Sequence, residues 1–249
     1  MSQPSPGAVS LQDLNRHYMA GLQHLADLTV FAWAGARAVS KKGYAKAFGE
    51  VSGLPATPFR LDVESARVES LHWLQSTSLA ELLRTTIAFL EDIRMVCGLV
   101  VFNVAKKSGE GELPSLAAEI NTPCILPDLP SRLHGLKARY ELPIPLEEEL
   151  LSLHALHLCF AGMGGLVGPG EVLTLRLKMV QPPPDGKSPP VVGDHRRSWG
   201  AGERVNLTRD EHAAIFTTLF LFMSTMLETV QSFAKTFGMT ESVPAMSSS

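Results

Sequence analysis

A chain of 249 residues with 45% hydrophobic and 19% charged residues has the composition of a globular protein, which excludes an intrinsically disordered one. The net charge of −3 excludes a global attraction to nucleic acid or anionic membranes, so any nucleic-acid site has to be a local patch. Three widely separated cysteines lack the close, paired spacing of a disulfide framework or a zinc knuckle. With no signal-peptide pattern at the N-terminus, we predict a cytoplasmic protein without a cofactor.

Two apolar segments resemble membrane spans in composition. Residues 213–227 carry no charge but are shorter than the roughly 20 residues that cross a bilayer. Residues 85–105 are long enough, but Glu91, Asp92 and Arg94 would be costly in lipid. We therefore interpret both segments as buried core helices and expect no membrane partner.

The first helix is marked by Ser10, an N-cap residue with Asp13 three positions later. Apolar residues at helical spacing extend it to about residue 39, where residues 41–43 (Lys-Lys-Gly) are typical of a helix end. The Pro-, Ser- and Gly-rich residues 1–9 and the tail 240–249 are predicted to be disordered. Residues 10–239 are predicted to form a single helical domain.

The middle of the chain is predicted to contain three more helical regions. Residues 62–75 form a short helix, and a capping box at Ser78 and Glu81 then opens a long helix over 79–107. The Pro-rich stretch 114–145 is irregular apart from a helix over 132–140. Pro145 occupies a first-turn position, and the next helix continues from there until Gly164 and Gly165 stop it.

Strand-like alternation follows in residues 172–180 and 203–207, separated by a Pro-rich loop over 181–190. A capping box, Thr208 with Glu211, then opens the last helix. The predicted fold is mainly α: a bundle of about five to six helices with a β-hairpin-like insertion before the last helix.

The segment from Leu156 to Val167 (LHLCFAGMGGLV) has the most distinctive pattern in the chain. Together with the preceding long helix, the Pro-rich connection, the following hairpin and the capped last helix, it resembles the HEPN-like (higher eukaryotes and prokaryotes nucleotide-binding) superfamily over about residues 79–233. Active members carry an arginine, a polar residue and a histidine in the spacing R-x4-H, and many are metal-independent ribonucleases. Members often pair through this helix, and several serve in toxin–antitoxin or phage-defence systems.

The residues of that catalytic motif are changed in this chain. Aligning on Gly164 and Gly165 places the arginine at His157, the polar residue at Leu158 and the histidine at Gly162. Glycine cannot transfer the proton that 2′-OH attack on a phosphodiester requires. The resemblance therefore implies a degenerate, non-nucleolytic member with no catalytic residues, in which His157 and His154 are remnants.

Each candidate site residue also has a structural interpretation. The small apolar residues of the motif helix are typical of close helix packing, and His154 with His157 lacks the third ligand of a metal site. The resemblance implies that Glu91, Asp92 and Arg94 form a polar site that faces the motif helix; in the structural interpretation they are the solvated side of the long helix.

A basic cluster with a tryptophan, consisting of His195, Arg196, Arg197 and Trp199, is predicted to lie at the hairpin tip. Arginine and tryptophan together bind nucleic acids or protein partners. Alternatively, Trp199 folds back into the core and the arginines keep the tip soluble.

Two functions remain open at this point. The leading hypothesis is a non-catalytic helical interaction protein, a homodimer with a further protein partner. The alternative is a ribonuclease, or a sensor of RNA or nucleotides, that uses His157 and the basic hairpin. Small residues on the motif helix, Ala155, Ala161 and Gly162, favour self-association.

Overall fold

The computed structural model describes residues 8–52, 61–109, 112–122, 128–181, 189–239 and 242–244. These residues form seven helices and four strands, so the predicted mainly α class with a β-hairpin before the last helix is confirmed. In chain order the elements are β1 (Ala8–Ser10), α1 (Leu11–Ala38), α2 (Lys41–Ser52), α3 (Val63–Ser108), α4 (Leu113–Asn121), α5 (Leu129–Tyr140), α6 (Glu147–Met163), β2 (Leu173–Gln181), β3 (Val191–Trp199), α7 (Arg209–Thr236) and β4 (Ser242–Pro244).

The predicted start of α1 is confirmed, because the Ser10 hydroxyl accepts a hydrogen bond from the backbone N–H of Asp13 at 3.2 Å. The prediction beyond its end is wrong: Lys41 begins α2 instead of closing a helix. The side chain of Arg67, on α3, donates to the carbonyls of Ala36 and Val39 at 3.1 and 3.0 Å. It thereby satisfies carbonyl groups that the end of α1 leaves without helical partners.

The two helices predicted over 62–75 and 79–107 are one continuous helix, α3, of 46 residues. Its N-cap is Asp62, whose carboxylate accepts from the backbone N–H groups of Glu64 and Ser65. Ser78 is therefore not a cap. Its hydroxyl lies 3.2 Å from the carbonyl of Gln75, within its own helix, a contact by which serine is accommodated in a helix interior.

The Pro-rich stretch is more regular than predicted. It contains α4 in addition to α5, which begins at Leu129, after the N-cap Asp128, and so is longer than the predicted helix 132–140. Helix α6 begins at Glu147, so Pro145 precedes its first turn instead of occupying it. The predicted stop is confirmed by Gly164 and Gly165, which have φ angles of 59° and 84°.

The hairpin consists of β2 and β3, paired antiparallel from Leu173 opposite Trp199 to Gln181 opposite Val191. The predicted second strand over 203–207 is therefore wrong, and so is the placement of His195 to Trp199 at the hairpin tip. Residues of the 203–207 segment pair with the exit of α6 instead. The backbone N–H of Val205 donates to the carbonyl of Gly165 at 2.8 Å, and Leu166 and Arg204 form an isolated antiparallel β-bridge.

The core lies around α3 and α7, on which α1, α6 and the inner face of β2 pack. Phe89 and Phe222 meet edge to face at 5.9 Å between ring centroids, and both are fully buried. Among the described residues, α7 is the one helix whose length and apolar composition would allow it to cross a membrane. Half of its most apolar window is buried within the fold.

The two ends of the chain meet in a small sheet, with Ala8–Ser10 antiparallel to Ser242–Pro244. These short strands differ from the predicted disorder of residues 1–9 and 240–249. The other residues of those two segments, 1–7, 240–241 and 245–249, lie outside the described ranges, and so does most of the predicted mobile loop, 182–188, with Lys187.

Candidate functional site

The motif helix α6 places its two histidines at the border between core and surface. Both His154 and His157 are half-buried. Burial lowers the pKa of His154, and the neighbouring His157 adds to this, while Asp128 opposes it. Nδ1 of His157 is buried and has no hydrogen-bond partner among the described residues. Leu158 and Gly162, which occupy the positions of the polar residue and the histidine of an R-x4-H motif, are exposed on the same helix and carry no titratable group.

The exposed side of α6 is an apolar stripe, formed by Leu151, Ala155, Leu158 and Gly162 at helical spacing. Leu151 is 37% exposed and Leu158 is 55% exposed. The leucines at 150, 153 and 156 and Phe160 are buried, so they fix this helix in the core and leave the stripe facing outward. The predicted packing role therefore holds for the opposite side of the helix and not for the stripe.

The second glycine after α6, Gly165, has a steric explanation. At Gly165 a Cβ atom would lie 2.6 Å from Nε2 of His72 and 3.2 Å from the ring of Phe160. The rings of His72 and Phe160 meet edge to face there, at 5.2 Å between centroids. Gly165 therefore allows the exit of α6 to pack closely against α3.

The charged residues of the long helix do not converge on α6. Arg94 binds Glu91 at 2.7 Å and also donates to the carbonyl of Thr122, at the end of α4. Glu91 is bound by Arg132 of α5 as well, at 3.1 Å. Asp92 accepts a hydrogen bond from the hydroxyl of Tyr18 at 2.7 Å, and burial, together with this bond, raises the pKa of the tyrosine. These residues tie α3 to α4, α5 and α1.

Two residues of the basic cluster, His195 and Arg197, contact a buried carboxylate that was not identified from the sequence as a site residue. The side chain of Glu211 is only 3% exposed. Its oxygens contact Nε2 of His195 at 3.1 Å and the guanidinium of Arg197 at 2.8 Å. Its Oε2 also accepts the backbone N–H of Thr208 at 2.8 Å, which completes the predicted capping box.

This set of contacts fixes the charge of Glu211. Burial alone would raise the pKa of its carboxyl group, but the hydrogen bonds from Thr208 and His195 and the charge of Arg197 outweigh it and lower the pKa. The carboxylate is thus ionised at neutral pH. It joins the hairpin to the first turn of α7.

Trp199 and Arg196 have different surroundings from those predicted. Trp199 is 4% exposed and lies at the base of the hairpin opposite Leu173. The guanidinium of Arg197 stacks over its ring at 4.7 Å from the centroid. Of the four residues in the basic cluster, Arg196 is the exposed one, and Trp199 is buried. The alternative in which the tryptophan folds into the core is the one that the structure shows.

A buried histidine, His212, lies next to Glu211 and was not identified from the sequence. Its Nε2 is 3.0 Å from the hydroxyl of Ser78, and the ring is 4% exposed. Burial lowers the pKa of His212 to about 4, so the ring is neutral at physiological pH. No described carboxylate is hydrogen-bonded to its Nδ1, which is the contact that orients the histidine of a Ser–His–Asp triad.

No group of three or more histidine, cysteine or acidic side chains suited to hold a metal ion occurs in the part of the chain that the structure describes. The chain matches no protein-family model, no curated protein and no solved structure. The HEPN-like resemblance therefore remains a prediction from the sequence.

Proposed function

We propose that this chain is a non-catalytic interaction protein that self-associates through the exposed stripe of α6, as an inactivated HEPN-like protein would. The observation that carries the proposal is the stripe itself, in which two exposed leucines alternate with alanine and glycine along one helix face. An ordered surface helix of a soluble domain normally presents polar residues to water. An apolar face of this kind is typical of a protein–protein contact.

The stripe is complementary to itself. When two copies of α6 cross antiparallel about a two-fold axis, Leu151 lies opposite the second copy's Gly162, and Ala155 lies opposite the second copy's Leu158. Each large side chain thus meets a small one, and each contact occurs twice, as the symmetry of a two-fold dimer requires. Glycine and alanine leave the room that the two leucines need for close packing.

The charges beside the stripe do not oppose this pairing. Three consecutive glutamates open α6, and each has a basic partner within the same chain: Glu147 with Lys137, Glu148 with Arg176 and Glu149 with Lys178. Two copies can therefore approach without an unpaired acidic cluster on either one. The histidine nearest the stripe, His154, is uncharged at neutral pH because burial lowers its pKa.

The size of the contact sets the expected strength. From Leu151 to Gly162 the stripe extends about 16 Å along the helix axis, at 1.5 Å per residue. A single pair of helices of this length buries less than the roughly 800 Å² per partner of a standard protein interface. We therefore expect a dimer with a dissociation constant in the micromolar range.

Sedimentation equilibrium tests the proposal. The unmodified chain should show a concentration-dependent monomer–dimer equilibrium, and Leu158→Glu should be monomeric at the same concentrations, because it buries two charges at the two-fold contact. Val172→Glu is the matched control, since Val172 is 71% exposed and lies outside the stripe. A strict monomer at high micromolar concentration, or equal dimerisation of both variants, would contradict the proposal.

A ribonuclease assay tests the non-catalytic part of the proposal. The purified chain should leave single-stranded RNA intact in the absence of metal ions, since Gly162 stands where the catalytic histidine of the resembled family occurs. RNA cleavage that His157→Ala abolishes would refute the non-catalytic assignment. Such a result would favour the ribonuclease alternative.

A further inference from the structure

A second feature, remote in sequence from the α6 stripe, is a cavity of about 450 Å³ between α1 and α7. Its size falls within the range of small-molecule binding pockets. One side is formed by the second half of α1, with Thr29, Trp33 and Ala34, and the other by the first turns of α7, with His212 and Phe216.

The wall of this cavity is aromatic. The rings of His212 and Phe216 are parallel, with 6.0 Å between their centroids, and Trp33 meets His212 edge to face at 6.1 Å. His212 is bonded on its far side to Ser78 of α3, which holds the ring in place. A preformed set of rings of this kind binds the apolar body of a ligand.

The charged residues that line the cavity are both arginines, Arg37 from α1 and Arg209 from α7. The guanidinium of Arg37 lies 5.3 Å from the centroid of the Trp33 ring, and it makes no ion pair with any described residue. Arg209 forms an ion pair with the adjacent Asp210 at 3.3 Å, and both of these side chains are more than 70% exposed. No acidic residue lines this cavity, and Asp210, beside it, is the one described carboxylate in an ion pair with either arginine.

We propose that this cavity binds a small amphipathic carboxylate. Its hydrocarbon or aromatic body packs among Trp33, His212 and Phe216, and its carboxylate contacts the guanidinium groups of Arg37 and Arg209. Guanidinium matches the two oxygens of a carboxylate in geometry and charge, which gives the site its preference for an anionic head group. Neutral His212 forms part of the apolar wall and adds no charge to it.

Calorimetric titration with decanoate, decanol and decylammonium tests the site, because the three probes share a chain and differ in head group. Decanoate should bind the full-length protein at least about tenfold more tightly than either of the others. Arg37→Gln and Arg209→Gln should each weaken decanoate binding about tenfold, whereas Arg16→Gln, an exposed arginine elsewhere on α1, should leave it unchanged.

A cavity-filling variant separates the site from general hydrophobic adsorption. Ala34 is exposed and lines the cavity, so Ala34→Phe should fold normally and abolish decanoate binding. Equal affinity for the three probes, unchanged binding by Ala34→Phe, or equal effects of Arg37→Gln and Arg16→Gln would each overturn the proposal. Loss of the dimer in Ala34→Phe would also overturn it, because a second copy would then be the occupant.

Discussion

Acidification should destabilise this fold through one buried ring, that of His212. The ring is 4% exposed, between Trp33 and Phe216, and its single hydrogen-bond partner among the described residues is the Ser78 hydroxyl. Protonation would bring a positive charge into this apolar contact, and the burial that opposes it lowers the pKa of the ring from 6.5 to about 4.

The sign and size of the effect follow from this pKa. Between pH 6.5 and pH 4 the unfolded chain binds a proton at His212 that the folded chain excludes, so the free energy of unfolding decreases as the pH falls. At about 1.4 kcal/mol for each pKa unit, the loss across this window is about 3 kcal/mol. Above pH 6.5 neither state binds the proton, and stability should not depend on this residue's titration.

Urea unfolding measured at intervals from pH 7.5 to pH 4 provides the test. His212→Gln removes the titration, so its stability should fall about 3 kcal/mol less over the window than that of the unmodified chain. His24→Gln, at an exposed position of α1, is the control and should follow the unmodified chain. Parallel stability curves for His212→Gln and the unmodified chain would refute the reasoning, because the buried ring would then not govern the loss.

Three further outcomes follow from particular contacts. Glu211→Ala leaves Arg197 without its carboxylate and removes the capping box, so it should lower the free energy of unfolding by about 3 kcal/mol, measured by urea titration. Asp210→Ala, which breaks an exposed ion pair, should lower it by less than about 0.5 kcal/mol. Gly165→Ala should lower the free energy of unfolding by at least about 1 kcal/mol more than Gly170→Ala, because both glycines have a positive φ but, of the two, only Gly165 has a close side-chain neighbour. Equal losses of stability in the two variants would contradict the steric explanation. Burial raises the pKa of the Cys97 thiol to about 12, so Ellman's reagent should not modify this cysteine until the chain unfolds, and rapid native labelling would contradict its burial.

Those helix starts whose signals are local could be predicted from the sequence. Ser10 and the pair Thr208 with Glu211 make the capping hydrogen bonds that their spacing indicates. The same type of pattern failed at Ser78, because a serine inside a helix can bond a carbonyl of the preceding turn instead of opening a new helix. Whether such a residue begins a helix depends on the residues before it, and these continue α3 without a break.

The hairpin shows what local periodicity leaves undecided. Residues 203–207 alternate as a strand should, yet they pair with the exit of α6, and the partner of β2 is a strand that includes Gly193 and Asp194. Both of those residue types are depleted in strands, so local sequence patterns do not indicate β3. The choice between the two segments is made by long-range contacts, including the burial of Trp199 against the core.

The candidate site was predictable only in part. The sequence identified α6 as the distinctive helix, but leucines occur on more than one of its faces, so periodicity could not separate buried Leu153 and Leu156 from exposed Leu151 and Leu158. The contact between Ser78 and His212 joins residues that are 134 positions apart, and no local pattern encodes such a contact.

Disulfide cross-linking across α6 tests most directly whether the stripe mediates self-association. In a background of Cys124→Ser and Cys159→Ser, an equimolar mixture of Leu151→Cys and Gly162→Cys proteins should form cross-linked dimers under native oxidising conditions. Leu151→Cys alone should not, because its two copies would lie about 16 Å apart along the helix axes, beyond the reach of a disulfide. No cross-link in the mixture, or equally efficient cross-linking of Leu151→Cys alone, would contradict the proposed self-association through this stripe.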